Sequence, residues 1–232
     1  MPCTGAGMKV SAIIVAAGSS RRMGFDKLEA DLEGRSVLHR SLLAFQSCDD
    51  VAEILVVTSP EKREAAMEAA KLLSLSKFAG AVEGGAERHL SVSAGILEAA
   101  EDSDLIAVHD AARPLVTPEA VSRCAAKARE TGAATLAHRV VDTLKRGNGR
   151  NEVVDSVSRD HLWAMETPQI FAAHVLRDAY EKVLEDGALV TDEVSAVEAL
   201  GQPVTLVENL EPNFKITVPG DIEIARRLFQ AK

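Results

Sequence analysis

Cysteine is scarce in this sequence, and its distribution excludes two common kinds of scaffold. The chain of 232 residues has three cysteines, Cys3, Cys48 and Cys124, and no two of them form a C-x-x-C pair. A disulfide framework needs an even set of cysteines, and a structural zinc site needs closely spaced ligand pairs. We therefore expect neither, and three isolated thiols fit a reducing cytoplasm.

A surplus of positive charge and a long apolar run are also missing. The formal net charge is −9, whereas a protein that binds along nucleic-acid backbones normally carries a basic surplus. The first apolar run, Val10 to Ala17, is too short to cross a bilayer, and residues 1–9 lack the charged start and the cleavage region of a signal peptide. We expect a cytoplasmic protein that binds neither nucleic acid nor membrane.

Short runs rich in Val and Ile alternate with helical patterns along most of the chain. The runs that we predict to be buried strands are Ser11 to Ala17, Glu53 to Thr58, Leu105 to His109, Ala133 to Ala137 and Pro203 to Val207. Between them, Ser36 precedes an apolar helical face, and Thr117-Pro118 has the form of a helix start. This alternation predicts an α/β fold with a doubly wound, mostly parallel sheet.

Nothing in the sequence divides the chain into independent parts. We find no internal repeat, low-complexity tract or linker rich in proline and serine. Residues 8–232 are therefore predicted to form a single domain, with residues 1–7 flexible.

One polar segment, residues 139–160, breaks the alternation. It carries Gly147-Asn148-Gly149 near its middle, between β-compatible flanks at 139–145 and 152–157, which is the pattern of a β-hairpin. The flanks are only weakly apolar, and an isolated hairpin is marginally stable in water. We therefore expect a protruding β-hairpin arm that docks on another surface, with a partner subunit as a candidate.

A loop of small residues with basic residues behind it follows the first predicted strand. Ala16-Ala17-Gly18-Ser19-Ser20 leads into Arg21-Arg22, and Lys27 follows closely. In an open α/β sheet this edge binds ligands, and small residues let backbone N–H groups approach a phosphate chain whose charge the cations neutralise. The loop matches neither a dinucleotide-binding nor a Walker pattern, so the alternative is a plain turn followed by solvated basic residues.

A carboxylate follows the apolar run that ends at Val108. The string His109-Asp110-Ala111-Ala112-Arg113-Pro114 places Asp110 where it can reach the same cleft as the first loop. Mg²⁺ that accompanies a triphosphate usually takes one or two protein carboxylates. Asp110 is therefore predicted to hold Mg²⁺ or another divalent cation, with a turn-capping aspartate as the alternative. His109 is predicted to be packed or hydrogen-bonded rather than catalytic.

Seven short motifs, in order and with compatible spacing, resemble one enzyme family. They are Ala16-Ala17-Gly18 with Arg22 and Lys27, Gly84-Gly85 with Glu87-Arg88 and Ser91, the HDAARP string, Asp142-Thr143, Thr167-Pro168-Gln169, Thr191-Asp192-Glu193, and Lys215-Ile216-Thr217. Together they resemble 2-C-methyl-D-erythritol 4-phosphate cytidylyltransferase of the non-mevalonate isoprenoid pathway, over about Val10 to Phe229. The resemblance implies a Rossmann-like nucleotidyltransferase sheet.

The resemblance also implies an activity and a role for each matching residue. The chain would join the cytidylyl group of CTP to 2-C-methyl-D-erythritol 4-phosphate and release pyrophosphate, with Arg22, Lys27 and Lys215 as catalytic cations. The implied nucleotide-binding residues are Ala16, Ala17, Gly18, Gly85, Ser91 and Asp110. The implied residues for the acceptor are Asp110, Arg113, Thr143, Arg159, Thr167, Thr191 and Lys215. Thr143 and Arg159 would reach over from the other subunit of a homodimer.

The implied reaction accounts for the lack of a Ser-His or Cys-His nucleophile signature. The attacking group is a phosphate monoester, which with a second pKa of about 6 is largely dianionic at neutral pH, so we expect no catalytic base. Direct in-line attack meets repulsion between anions, and fixed positive charge counters that repulsion.

The chain departs from the family pattern in the first loop and in the base-binding stretch. Ser20 stands where a glycine is frequent, and Asp26 precedes the lysine where a proline is frequent. Ala86 and His89-Leu90 stand where polar or acidic residues are usual. We therefore expect backbone groups of this stretch, rather than side chains, to contact the cytosine.

Other interpretations remain open. Thr191-Asp192-Glu193 has the composition of a helix cap with an acidic first turn, and Lys215 can be a solvated strand lysine. Asp221 is predicted to start a helix rather than to bind a metal. The alternative functions are a cytidylyltransferase for another polyol phosphate, such as ribitol 5-phosphate, and a non-catalytic nucleotide-binding protein of the same fold.

Overall fold

Strands and helices alternate along the chain, as the apolar runs predict. The computed structural model describes residues 8–18 and 23–231, so the predicted flexible segment 1–7 lies outside the described residues. The strands are β1 (Val10–Val15), β2 (Val51–Thr58), β3 (Phe78–Glu83), β4 (Leu105–Asp110), β5 (Ala133–Arg139), β6 (Leu144–Gly147), β7 (Val153–Val157), β8 (Trp163–Ala172) and β9 (Thr205–Glu208). The helices are α1 (Val37–Gln46), α2 (Arg63–Leu72), α3 (Arg88–Glu98), α4 (Pro118–Thr131), α5 (Ala173–Glu185), α6 (Glu193–Glu198) and α7 (Pro219–Gln230).

Seven of the strands form one sheet in the order β3-β2-β1-β4-β8-β5-β9. β1 pairs in parallel with β2 and with β4, and β2 pairs in parallel with β3. β8 is antiparallel to both of its neighbours, β4 and β5, whereas β9 is parallel to β5. The prediction of a mostly parallel sheet is confirmed.

Helices cover both faces of the sheet, as a doubly wound fold requires. Ile14 of β1 packs in the cluster that contains residues of α1, α2, α4 and α7. The neighbouring residue, Ile13, points to the opposite face and packs with α3, α5 and α6. In the described part of the chain, no helix has the length and apolarity that a membrane span needs.

The predicted helix starts are capped by the side chains that the sequence indicates. Ser36 Oγ accepts the His39 backbone N–H at 3.3 Å, and Thr117 Oγ1 accepts the Ala120 backbone N–H at 3.2 Å. Asp221 accepts the backbone N–H of Val218 at 2.9 Å in the first turn of α7. Asp221 therefore starts a helix, as predicted.

Two strands of the large sheet escaped the sequence-based prediction. β3 is an edge strand whose residues are all exposed or half-buried, so its apolar signal is weak. β8 lies in the interior of the sheet, but its run of apolar residues is interrupted by Glu166, Thr167 and Gln169. These three side chains are buried because hydrogen bonds inside the protein replace their water.

The segment 139–160 contains the predicted hairpin. β6 and β7 pair antiparallel, with Leu144 opposite Val157, and form a sheet separate from the large one. The turn is closed by Asn148, whose backbone N–H donates to the Glu152 carbonyl at 3.0 Å. Val153 and Val154 on the arm are 68% and 56% exposed, so apolar surface of the arm is left for contact with another surface.

Candidate active site

A cavity of about 320 Å³ opens where β1 and β4 end side by side. Its wall is built from the loop after β1, the segment that leads into α3, the end of β4 and the segment before α7. The predicted site residues that line it are Ala16, Ala17, Gly18, Lys27, Gly85, Ser91, Asp110 and Lys215. The carboxyl edge of an open α/β sheet is where ligands bind, and the structure brings these residues together there.

The wall also contains residues to which the sequence assigned no role. They are Val15, Leu28, Glu87, Arg88 and Ala112. Arg88 is the cationic residue among them. Its position beside Glu87 in one of the seven motifs was a signal for a functional role. The sequence alone does not show which carboxylates the guanidinium binds.

The segment before α3 approaches the first loop so closely that a side chain is excluded at Gly84. A Cβ atom at Gly84 would lie 2.8 Å from Ala17 Cβ and 2.8 Å from Ser91 Oγ. The Gly84 N–H donates to the Thr58 carbonyl at 2.8 Å. Glycine at this position therefore lets the two loops form one narrow cavity wall.

Lys27 begins a short 3-10 turn, Lys27–Glu29, whose N-terminus is capped by Asp26. Asp26 Oδ1 accepts the Leu28 backbone N–H at 3.1 Å, and Asp26 Oδ2 pairs with Lys62 Nζ at 2.6 Å. The Lys27 ammonium donates to the Ile216 carbonyl at 2.7 Å, close to Lys215 in sequence. Asp26 thus fixes the backbone at the position where the family frequently has a proline.

Asp110 is surrounded by three cationic side chains. Its Oδ1 accepts Arg88 Nη2 at 3.2 Å, its Oδ2 accepts Lys215 Nζ at 2.8 Å, and Arg113 Nε lies 3.9 Å from Oδ2. Burial alone would raise the pKa of Asp110, but the charges of Arg88 and Lys215 outweigh burial and hold that pKa well below its usual range. Asp110 is therefore ionised, and both of its oxygens are already paired with cations.

Arg88 bridges Asp110 to a second buried carboxylate, Glu193. Arg88 Nη1 and Nη2 donate to the two Glu193 carboxylate oxygens at 2.6 and 3.1 Å. Glu193 is 0% exposed and also accepts the Tyr180 hydroxyl at 2.9 Å. Burial and the neighbouring Glu193 raise the pKa of Tyr180, so the phenol stays protonated and remains a donor.

His109 is buried and hydrogen-bonded inside the protein, as predicted, and it is neutral. Its Nε2 lies 3.2 Å from the Arg113 carbonyl and must donate, since a carbonyl only accepts. Its Nδ1 therefore accepts the Thr167 hydroxyl at 3.0 Å, while Thr167 Oγ1 accepts the Asp110 backbone N–H at 3.1 Å. Burial lowers the pKa of His109 to about 3. This chain of hydrogen bonds fixes the backbone of Asp110.

Three residues predicted to bind the acceptor, Arg113, Thr167 and Thr191, are not part of the cavity wall. Thr167 is 3% exposed, and its side-chain hydroxyl is hydrogen-bonded to His109 and to the Asp110 backbone, so it positions Asp110. Arg113 donates to the backbone carbonyls of Asn213 and Met165 at 2.8 and 3.2 Å. Thr191 is exposed just before the N-terminus of α6.

The cap of α6 is Asp192, not Thr191. Asp192 Oδ1 accepts the Ser195 backbone N–H at 3.0 Å, so the helix-cap interpretation of this motif is right for Asp192. It is incomplete for Glu193, which binds Arg88 instead of facing solvent as an acidic first-turn residue normally does. Thr191 is left exposed and accessible to a ligand.

The remaining predicted residues are not in the described cavity wall. Thr143 and Arg159 are exposed residues of the 139–160 segment, and the Arg159 guanidinium donates to the Val141 carbonyl. Neither is among the residues that line the cavity within this chain. Arg22 lies outside the residues that the structure describes.

A family model for 2-C-methyl-D-erythritol 4-phosphate cytidylyltransferase matches residues 10–231. The chain belongs to this family. A curated cytidylyltransferase from Caldanaerobacter subterraneus is 40% identical over 221 residues, which is 94% of this chain and 97% of the relative. A bifunctional enzyme IspD/IspF from an Anaeromyxobacter species is 42% identical over 96% of this chain and 58% of its own length.

Solved structures of the cytidylyltransferase family share the whole architecture. The enzyme from Thermus thermophilus is 35% identical and superposes with a TM-score of 0.79, over 96% of this chain and 100% of the other. The synthase from Anaerococcus prevotii is 28% identical with a TM-score of 0.84, over 97% of both chains. The agreement extends over nearly all of the cytidylyltransferase fold described above.

The buried His109 predicts how the stability of this cytidylyltransferase family member depends on pH. Its pKa is about 3 in the folded chain and about 6.5 in an unfolded one. Between these values the unfolded chain binds a proton that the folded chain excludes, so the free energy of unfolding falls as pH is lowered from about 6.5 toward 3. In His109→Gln, urea unfolding should show a slope shallower by up to about 1.4 kcal/mol per pH unit.

The exposed His174 on α5 provides the control. His174→Gln should keep the wild-type slope of unfolding free energy against pH over the same window. A wild-type slope in His109→Gln would contradict the buried, neutral assignment of His109.

Proposed function

We propose that the chain transfers the cytidylyl group of CTP to the phosphate of 2-C-methyl-D-erythritol 4-phosphate and releases pyrophosphate. One observation carries the proposal: a single cavity joins the small-residue loop at 16–18 with two lysines, Lys27 and Lys215, in a chain of this family. Small residues admit a phosphate chain, and lysines counter its charge. An enzyme of this kind acts on soluble substrates, and we propose that it works in the cytoplasm.

The nucleotide is proposed to lie along the loop after β1. The Ala16 N–H donates to the Val57 carbonyl at 2.7 Å, so Ala16 serves as part of the wall, whereas Ala17 and Gly18 present their backbone to the triphosphate. Gly85 and Ser91 form the opposite wall. Backbone contacts from this segment suit the cytosine because its side chains include the apolar Ala86.

The acceptor phosphate is proposed to attack the α-phosphorus directly. A phosphate oxygen of the acceptor forms the new bond, the bond from the α-phosphorus to the bridging oxygen breaks, and pyrophosphate departs with the electron pair. Lys27 and Lys215 stabilise the charge that grows on the transferring and leaving phosphates. His109 is buried and neutral, and burial raises the pKa of Cys124, so neither suits the role of nucleophile.

The predicted role of Asp110 as a metal ligand does not fit this structure. Both carboxylate oxygens are hydrogen-bonded to cationic side chains, and a third cation lies 3.9 Å away. A divalent cation placed there would be repelled by all three. Among residues 8–18 and 23–231, no cluster of three or more His, Cys, Asp or Glu side chains is arranged to hold a metal. We derive no step through a protein-bound metal, and the need for Mg²⁺ stays a prediction.

A homodimer is proposed because the arm leaves apolar residues exposed and carries two of the predicted acceptor ligands. Val141 is 74% exposed and Val153 is 68% exposed, which is costly for a segment that stays in water. Thr143 and Arg159 lie on the same segment and outside the cavity wall of their own chain. In the proposed dimer these two side chains complete the site of the partner.

The activity is tested by pyrophosphate release from CTP with two acceptors in parallel. We expect turnover with 2-C-methyl-D-erythritol 4-phosphate and much lower kcat/KM with ribitol 5-phosphate. Preferred turnover of ribitol 5-phosphate would favour the alternative transferase. CTP binding without pyrophosphate release from either acceptor would favour a non-catalytic nucleotide-binding protein.

The proposed lysine clamp, formed by Lys27 and Lys215, predicts that removing either lysine lowers kcat without preventing folding. Because Lys27 and Lys215 face charge that grows during the reaction, Lys27→Ala and Lys215→Ala should each lower kcat by roughly a hundredfold to a thousandfold. Both variants should still fold, with thermal unfolding of Lys27→Ala close to wild type and that of Lys215→Ala at a lower temperature, because the buried Asp110 then loses one of its cations. The exposed Lys182 pairs with Asp186 on α5, and Lys182→Ala serves as the control that keeps full turnover. Near-normal kcat in both clamp variants would contradict the proposed mechanism.

A shared site predicts that two inactive variants restore each other. In a heterodimer of Arg159→Ala and Lys27→Ala subunits, one site combines an intact Lys27 with the partner's intact Arg159, whereas each parent homodimer has no complete site. Turnover is measured after unfolding and refolding the two variants together, with a tag on one subunit to verify the heterodimer. No recovered activity in a verified heterodimer would place Arg159 outside the partner's site.

A further inference from the structure

Arg88 occupies a position that the proposed mechanism does not use. It is the first residue of α3 and lines the cavity, so the simplest assignment would be a phosphate ligand. Its guanidinium is engaged otherwise. Nε and Nη2 donate to Asp110 Oδ1 at 3.3 and 3.2 Å, and Nη1 donates to Glu193 Oε1 at 2.6 Å. All three nitrogens of the group thus bind carboxylates of the protein.

Glu193 is held in place independently of Arg88. Its carboxylate accepts the Tyr180 hydroxyl from α5 at 2.9 Å, and its backbone N–H donates to Gln169 Oε1 from β8 at 3.0 Å. Gln169 also accepts the Val194 N–H at 3.1 Å. The start of α6 is therefore held rigidly. Arg88 connects it to Asp110 at the end of β4.

Asp110 in turn positions the catalytic lysine. Lys215 Nζ donates to Asp110 Oδ2 at 2.8 Å, whereas Arg88 binds the other oxygen, Oδ1. The two cations share one carboxylate, so Arg88 takes up part of the negative charge that would otherwise neutralise Lys215. The ammonium of Lys215 is left with more of its positive charge directed at phosphate.

The charge balance of the cluster depends on Arg88. Arg88, Arg113 and Lys215 pair with two carboxylates, Asp110 and Glu193, and the buried Glu166 also attracts Arg113. Without Arg88, Asp110 loses one of its cations, and Glu193 becomes a fully buried carboxylate without its cation. Leaving one partner of a buried ion pair alone is strongly destabilising.

We infer that Arg88 is a positioning residue. It holds Asp110 between itself and Lys215, with Glu193 as its anchor, and thereby fixes the position of Lys215 in the cavity. The inference rests on the proposed function, because Lys215 matters only if phosphate transfer occurs in this cavity. It assigns to Arg88 an effect on kcat rather than on CTP binding.

The test compares Arg88→Gln, Glu193→Gln and the double variant in the full-length protein. Pyrophosphate release gives kcat, and calorimetry without acceptor gives the Kd for CTP. We expect each single variant to lose roughly tenfold to a hundredfold in kcat, because Asp110 and with it Lys215 are misplaced. The Kd for CTP should change less than about threefold. The double variant removes one cation and one carboxylate together, so it should recover kcat above Arg88→Gln.

The test includes a matched control variant and a second substitution at Arg88. Arg226 pairs with Glu223 on α7, and Arg226→Gln should keep wild-type kcat. If Arg88→Gln does not fold, Arg88→Lys keeps the charge but cannot bridge both carboxylates as a guanidinium does. It should fold, bind CTP normally and still lose kcat.

Each of the following results would overturn a different part of the proposal. A loss confined to the Kd for CTP would make Arg88 a phosphate ligand, and a kcat within twofold of wild type in Arg88→Gln would remove it from the reaction. A double variant as impaired as the product of the single losses would refute the coupling to Glu193. Wild-type protein that releases no pyrophosphate would overturn the proposed function together with this role, whereas an active wild type isolates the failure to Arg88.

Discussion

The ionised carboxylate of Asp110 is the interaction on which the candidate site depends. It is a buried anion at the end of β4, and it keeps its charge only because Arg88, Arg113 and Lys215 surround it. In a site for two polyanions, a buried carboxylate looks misplaced. Its physical value is that it holds cationic side chains together that would otherwise repel one another, and it does so before any phosphate arrives.

The topology of the sheet explains why these groups can meet. β1 and β4 are parallel neighbours, so the small-residue loop after β1 and Asp110 at the end of β4 emerge at the same edge. β8 then inserts antiparallel between β4 and β5 and supplies Thr167, which receives the Asp110 N–H, and Gln169, which receives the Glu193 N–H. The polar residues that obscure β8 in the sequence are thus the supports of the site.

In the proposed dimer, the nucleotide is bound by one chain and the arm of the other chain contributes to binding the acceptor. One chain by itself forms a cavity that suits the nucleotide, with Lys27 and Lys215 in its wall, whereas the predicted acceptor ligands Thr143 and Arg159 lie on an exposed hairpin. This separation is physically reasonable, because a hairpin of two short strands gains stability from docking. Assembly and completion of the site would then depend on the same contact.

The sequence by itself determined the alternation of strands and helices, the hairpin, the helix caps at Ser36, Thr117 and Asp221, and most of the residues that line the cavity. Each of these follows from local signals, namely apolar periodicity, capping side chains and short motifs. The tertiary structure decided the rest. Which cations surround Asp110, and whether Glu193 faces solvent or Arg88, depends on residues that are distant along the chain and adjacent in space. Burial strengthens such pairings and excludes competing partners, and burial is a property of the packed fold rather than of any local pattern.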